Sequence, residues 1–187
     1  MPHDGWNGEK KSIGIGRYLE AKGGKINVTG SYSVKYGYGG SGTKDDPYKI
    51  CTDSDLYSMM GAVNTAGRKI PFVGEYFVQE QNIDMNFYSE YVNGEYGWLP
   101  IGESAATPFA GSYDGQGYEI SNLWMSRNLQ SGVGLFGVLY NGIVKNVKLV
   151  NAKIIGDGAV GGVVGVVIGE GAEMGVSLVK NCTLSPT

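Results

Sequence analysis

The chain has 187 residues, 32 of them glycine, with a formal net charge of −3 and a pI near 5.2. Its basic residues are spread singly rather than gathered into a stripe, which argues against nucleic acid as a partner. No sustained 3.6-residue apolar period is present, so the composition points to short strands and many turns in one domain with an extension, not to a helical bundle.

In chain order, residues 1–39 form an N-terminal extension without a repeat, in which Lys25 to Tyr38 reads as one or two strands turning at Gly30-Ser31. No signal-peptide pattern is visible, so a leader for a secreted protein would have to lie outside this sequence. Gly39-Gly40-Ser41-Gly42-Thr43 marks a boundary, and residues 40–187 are expected to form a second, repetitive domain. A strand at Tyr48 to Cys51 leads into a short helix. Thr52 or Asp53 can cap it, and Leu56, Met59, Met60 and Val63 make one apolar stripe able to close the end of a stack of repeats.

From here the sequence repeats. Asn, an apolar residue, a variable residue and Met or Leu recur as Asn82-Ile83-Asp84-Met85, Asn122-Leu123-Trp124-Met125, Asn146-Val147-Lys148-Leu149 and Asn181-Cys182-Thr183-Leu184. Self-similarity at this spacing is the mark of a solenoid, in which each unit buries its apolar face against its neighbours. A second landmark, Gly134-Leu135-Phe136-Gly137-Val138, returns 28 residues later as Gly162-Val163-Val164-Gly165-Val166. The larger Asn interval from Asn146 to Asn181 is accommodated by a Gly-rich insertion, Gly169 to Gly175.

Apolar residues at −2, +1 and +3 around each Asn cannot share one face of a straight strand, so the chain is expected to bend there. Asn82, Asn122, Asn146 and Asn181 are therefore structural corners, able to adopt left-handed backbone and to hydrogen-bond to one another between coils. Asn82 fits least, because Glu80 holds its −2 position. The same parity sends Asp84, Trp124, Lys148 and Thr183 outward from one sheet.

Phe87 to Pro108 is a long Tyr-, Glu- and Gly-rich insertion containing Trp98, the type of segment that carries recognition or folds over exposed aromatics. Phe109 to Ile120 reads strand, Asp-Gly turn, strand, with Asp114 satisfying turn backbone. The apolar run Ala159 to Ile168 is too short for a membrane span, which needs roughly 20 residues, and reads as a buried strand pair.

The ordered succession of Gly42-Thr43, Asp46-Pro47-Tyr48, Asn82 to Met85, Pro100-Ile101-Gly102, Phe109 to Ile120, Gly134 to Gly137 and Gly161 to Gly165 resembles the GLUG repeat family of secreted bacterial surface proteins. The resemblance covers about residues 40–187 and implies an all-β fold, a right-handed parallel β-helix. It also implies an extracellular or cell-surface, adhesin-like setting, or one beside a protease domain. No catalytic residue comes with the repeat. The second core, Gly162-Val163-Val164-Gly165, departs from the pattern in lacking the aromatic.

The function expected is a non-enzymatic stalk or adhesin-like segment. The alternative is a polysaccharide-degrading β-helix enzyme. Asp84 with Asp114 is the only pairing the repeats make tempting for glycosidase chemistry, which needs carboxyls roughly 5 to 9.5 Å apart. His3 is the only histidine, Cys51 and Cys182 are distant, and Asp45, Asp46, Asp53 and Asp55 lack calcium-loop spacing, so no metal or other cofactor is expected. Trp98, Trp124 and Lys148 are the candidate contact surface for a glycan or a host or bacterial surface protein. The C-terminal coil should need cover from further coils or another chain, because an open coil is a bare sheet edge.

Overall fold

A computed structural model describes residues 39–66, 70–87, 94–127, 132–169 and 177–185. The expected strands in Lys25 to Tyr38, the remainder of the 1–39 extension and most of the Gly169 to Gly175 insertion lie outside the described residues.

The described chain is mostly β, with one α-helix described in full, helical residues at 86–87 and a 3-10 turn at Gly94–Tyr96. Strand β1 is Tyr48–Ile50, followed by helix α1, Asp53–Asn64. The next strands are β2 Tyr76–Gln79, β3 Ile83–Asp84, β4 Ser112–Asp114, β5 Glu119–Ser121, β6 Trp124–Arg127 and β7 Phe136–Tyr140. Then come β8 Ile143–Lys145, β9 Lys148–Val150, β10 Lys153–Gly156, β11 Val164–Ile168, β12 Leu178–Lys180 and β13 Thr183–Ser185. They build four parallel sheets, ordered β1-β2-β4-β8-β12, β3-β5-β9-β13, β6-β10 and β7-β11. From β4 onward the chain visits these sheets in the same cyclic order, so each circuit lies on the one before.

Register places like residues in columns. In the first sheet Tyr48, Phe77, Tyr113, Val144 and Val179 stack, and in the second Ile83, Ile120, Leu149 and Leu184 do. The Gly landmark aligns as the 28-residue interval requires, with Val164 paired to Phe136 and Val166 to Val138. Alternation along the three-residue strands β4, β5, β8 and β9 puts only the middle residue inside, as at Ile120, Val144 and Leu149, each fully buried, whereas in β1 the end residues Tyr48 and Ile50 are inside. An aromatic chain fills the middle of the core: Phe77 to Phe109, Phe109 to Phe136 at 5.1 Å and Tyr113 to Phe136 at 5.3 Å between ring centroids.

Helix α1 forms as its sequence dictates. Thr52 caps it, the Thr52 hydroxyl accepting from Asp55 N while the Asp55 carboxylate accepts from Thr52 N, a reciprocal capping box. Leu56, Met59, Met60 and Val63 are its buried residues and belong to the same core cluster as the strand columns. Ala159 to Ile168 departs from expectation. It holds a single strand, β11, paired on one side to β7, and Val160 and Val167 are 44% and 50% exposed. It is not a strand pair, and of its residues only Val163 is buried, because among the described residues no strand covers its outer edge.

Candidate functional site: an outer face built on asparagine corners

Asn122, Asn146 and Asn181 have φ of 58°, 54° and 52°, the left-handed bend expected of a corner. Asn82 is not among the residues with positive φ; its carboxamide oxygen instead accepts from Glu119 N at 2.9 Å. Two further corners, Asn141 and Asn151, have φ of 50° and 52°.

The corners do not form one column. Asn146 and Asn181 join the first sheet to the second, whereas Asn122 joins the second to the third and stacks on Asn151, 29 residues away. The 24-residue step from Asn122 to Asn146 thus crosses from one corner to the other and is not a coil length.

Two ladders result, each based on an aspartate. Asp84 Oδ1 accepts from Asn122 Nδ2 at 2.9 Å, and Asn122 Oδ1 from Asn151 Nδ2 at 2.7 Å. Asp114 Oδ1 accepts from Asn146 Nδ2 at 2.8 Å, and Asn146 Oδ1 from Asn181 Nδ2 at 3.2 Å. A carboxylate only accepts, so each ladder has a fixed direction, with every NH2 aimed toward its aspartate.

Hydrogen bonds from Asn122 and from Asn86 N hold the Asp84 carboxyl below its ordinary range. For Asp114 burial pushes upward but is outweighed by Asn146, Gln116 N and Lys145, so its carboxyl also lies low. Lys145 Nζ sits 3.0 Å from Asp114 Oδ2. Asp114 satisfies its turn as expected, accepting from Gln116 N at 2.9 Å.

The expected outward row is corrected at one member. Lys148 and Thr183 stack in the second sheet, which also carries Asp84, but Trp124 opens β6 in the third sheet, because the chain bends at Asn122 before reaching it. The insertion folds over Trp124: Gly97 pairs with Met125, Trp98 N donates to Trp124 O at 2.8 Å, and a Cβ at Gly97 would come within 2.3 Å of the Trp124 ring. Trp124 is half-buried as a result.

Trp98 is not a surface residue. It is 1% exposed, with its indole N–H donating to Leu135 O at 3.1 Å, because the insertion turns its large aromatic into the core. Arg127 fastens the same segment, donating to Trp98 O at 3.1 Å and Gly97 O at 2.8 Å, with its guanidinium 5.8 Å from the centre of the exposed Tyr96 ring. Lys148 is outward and half-exposed, its ammonium 2.7 Å from Glu119 Oε1.

Cys51 and Cys182 are free thiols pushed up chiefly by burial. Among the described residues no cluster of three or more His, Cys, Asp or Glu could hold a metal, and no helix is long and apolar enough to cross a membrane.

No family model matches the chain. It is similar to a Gly-rich membrane protein of Evansella cellulosilytica, at 37% identity over 122 residues, 65% of this chain and 13% of that protein. It is also similar to halomucin of Haloquadratum walsbyi, at 34% identity over 152 residues, 80% of this chain and 2% of halomucin. The chain thus spans a small part of both relatives. A crystal structure described as an immunoglobulin A1 protease from Bacteroides ovatus shares the fold, with a TM-score of 0.53 at 23% identity, covering 79% of this chain and 50% of that one.

Proposed function

We propose that residues 40–187 are a non-enzymatic extracellular repeat module of the GLUG type, a right-handed parallel β-helix serving as stalk or adhesin-like segment of a larger bacterial surface protein. The observation that carries this reading is the cyclic return of the chain to the same parallel sheets in register, which makes a rod whose side chains continue from coil to coil. Support comes from the relatives. Each contains a stretch like this one as a small fraction of a much longer chain, and their names, a membrane protein and halomucin, suit a cell surface.

Asp84 and Asp114, the pair that glycosidase chemistry would require, are both held as anions and bound into ladders. A proton-donating carboxyl needs the opposite shift. The exposed apolar residues of the last coil, Leu178, Val179 and Leu184, suit cover by further coils or another chain. Recognition of a glycan or of a host or bacterial surface protein falls to the outward side chains of the second and third sheets, among them Lys148 and Trp124.

Two measurements test the reading. Incubation with acidic polysaccharides is expected to release no reducing or unsaturated ends; release that Asp114→Asn abolishes would replace the module with an enzyme. Glycan and surface-protein arrays test adhesion, with Trp124→Ala as the control. An array without binding, and a variant altered only in stability, would leave the stalk and remove the adhesin.

A further inference from the structure

The corner between the first and second sheets differs from coil to coil. Between β8 and β9, and again between β12 and β13, it takes two residues, Asn146-Val147 and Asn181-Cys182, but between β4 and β5 it takes four, Gly115 to Tyr118. The two extra residues bulge outward as a ledge.

The ledge is pinned. Gly115 N donates to Lys145 O, Gly117 N to Asn146 O and Tyr118 N to Gly115 O, each at 2.9 Å. A Cβ at Gly115 would come within 2.5 Å of Asn146 O, so the turn lies flat on the next coil. Beside it is a groove of about 330 Å³, whose walls include Asp114, Gln116, Asn146, Lys148, Asn181 and Thr183. That volume is at the lower end of small-ligand sites, which run from about 300 to 1,000 Å³.

Charge in this groove is internally balanced, since Asp114 is paired with Lys145 and Lys148 with Glu119. An ionic ligand would have to displace one of those partners, whereas a neutral polar ligand would not. Hydrogen-bonding capacity nevertheless remains. Among the described residues the Gln116 carboxamide, the Asn181 carbonyl oxygen and the Thr183 hydroxyl have no partner, and an ammonium has N–H groups beyond the one that meets Glu119. These groups are carried by successive coils, about 4.8 Å apart at the backbone.

We infer that this groove binds an uncharged, hydroxyl-rich ligand, the chemistry of a neutral saccharide unit, with Gln116, Lys148, Asn181 and Thr183 as its contacts. The inference rests on the adhesive part of the proposed function and places its site away from Trp124.

The test is a titration of the isotopically labelled full chain with methyl hexopyranosides and neutral hexose oligosaccharides, followed by amide and side-chain NMR shifts. Saturable shifts are expected at Gln116, Lys148, Asn181 and Thr183, with an affinity unchanged by added salt. Gln116→Ala and Thr183→Ala, both at exposed positions, are expected to weaken binding at least tenfold without moving the melting temperature. Shifts centred on Trp124 and Tyr96 with a silent groove would overturn the inference and leave the adhesive reading standing. Salt-sensitive binding confined to acidic sugars would overturn the neutral ligand. Silence toward every saccharide would overturn the groove. Failure of the arrays as well would remove the adhesive reading with it.

Discussion

Single residues carry most of what distinguishes this chain from a generic stack of strands. Asn122, Asn146, Asn151 and Asn181 turn corners that few other residue types could, and their carboxamides join coils through two directed ladders. A ladder based on an aspartate responds to acid. Both carboxyls are held below the ordinary value of 3.8, so the stability they contribute is complete above that value and is lost as pH falls through the lower folded-state values. The urea midpoint is expected to be flat around neutrality and to fall on acidification. Asp84→Asn/Asp114→Asn should shrink that fall, and an unchanged acid limb in this double variant would place its origin elsewhere. Gly97 gives a second prediction at this scale: it has φ of 63° and no room for a Cβ against Trp124. Gly97→Ala is expected to lift the insertion from the third sheet, seen as a red shift and increased quenching of tryptophan fluorescence. The corner conformation was legible at Asn122, Asn146 and Asn181 because apolar parity broke there, whereas Asn82, with Glu80 at −2, does not adopt it. The pairing was not, because Asn151-Ala152-Lys153-Ile154 carries Ile where the motif admitted only Met or Leu. Admitting Ile recovers the 29-residue step from Asn122, beside the 28-residue Gly landmark.

At the scale of elements, the start of the helix and its buried stripe were readable because their signals are local: a cap at Thr52 or Asp53, which the fold settles as Thr52, and apolar residues at i, i+3, i+4 and i+7. Thr52→Ala removes one half of the capping box and is expected to cost about 1 kcal/mol in denaturant unfolding. A loss near zero would mean that the Asp55 carboxylate, which also accepts from Cys51 N at 2.9 Å, holds the helix start by itself. The insertion behaved differently. Its composition marks it as a long loop, yet nothing local says that Trp98 turns inward or that Gly97 lies on Trp124. Both depend on the space left beside β6 and β7, where Ile101 and Phe109 bridge to Phe136 and Leu139 in place of a regular strand. Trp98 and Trp124 look alike as solitary aromatics in sequence. Only the fold separates a core residue from a half-covered surface one.

For the whole molecule, the repeated landmarks pointed to units stacked on one another, and the family resemblance, not the repeats, implied that the strands run parallel, as the sheets do. The number of faces per coil escaped them, because corners that share one Asn motif serve two different junctions. Stacking also makes stability depend on position across the sheets, since a strand between two neighbours is enclosed and one at the edge is not. Leu149 and Leu184 occupy the same column of the second sheet, one fully buried and the other 57% exposed. Leu149→Ala removes a side chain enclosed on both sides and is expected to cost about 2 to 5 kcal/mol. Leu184→Ala removes one open to solvent and is expected to cost under about 1 kcal/mol, with fast amide exchange in β12 and β13 relative to β8 and β9. Chemical denaturation and hydrogen exchange on the isolated chain measure both. Equal losses at the two positions would mean that the outer coil is covered in solution, and a concentration-dependent melting temperature would identify a second copy of the chain as the cover.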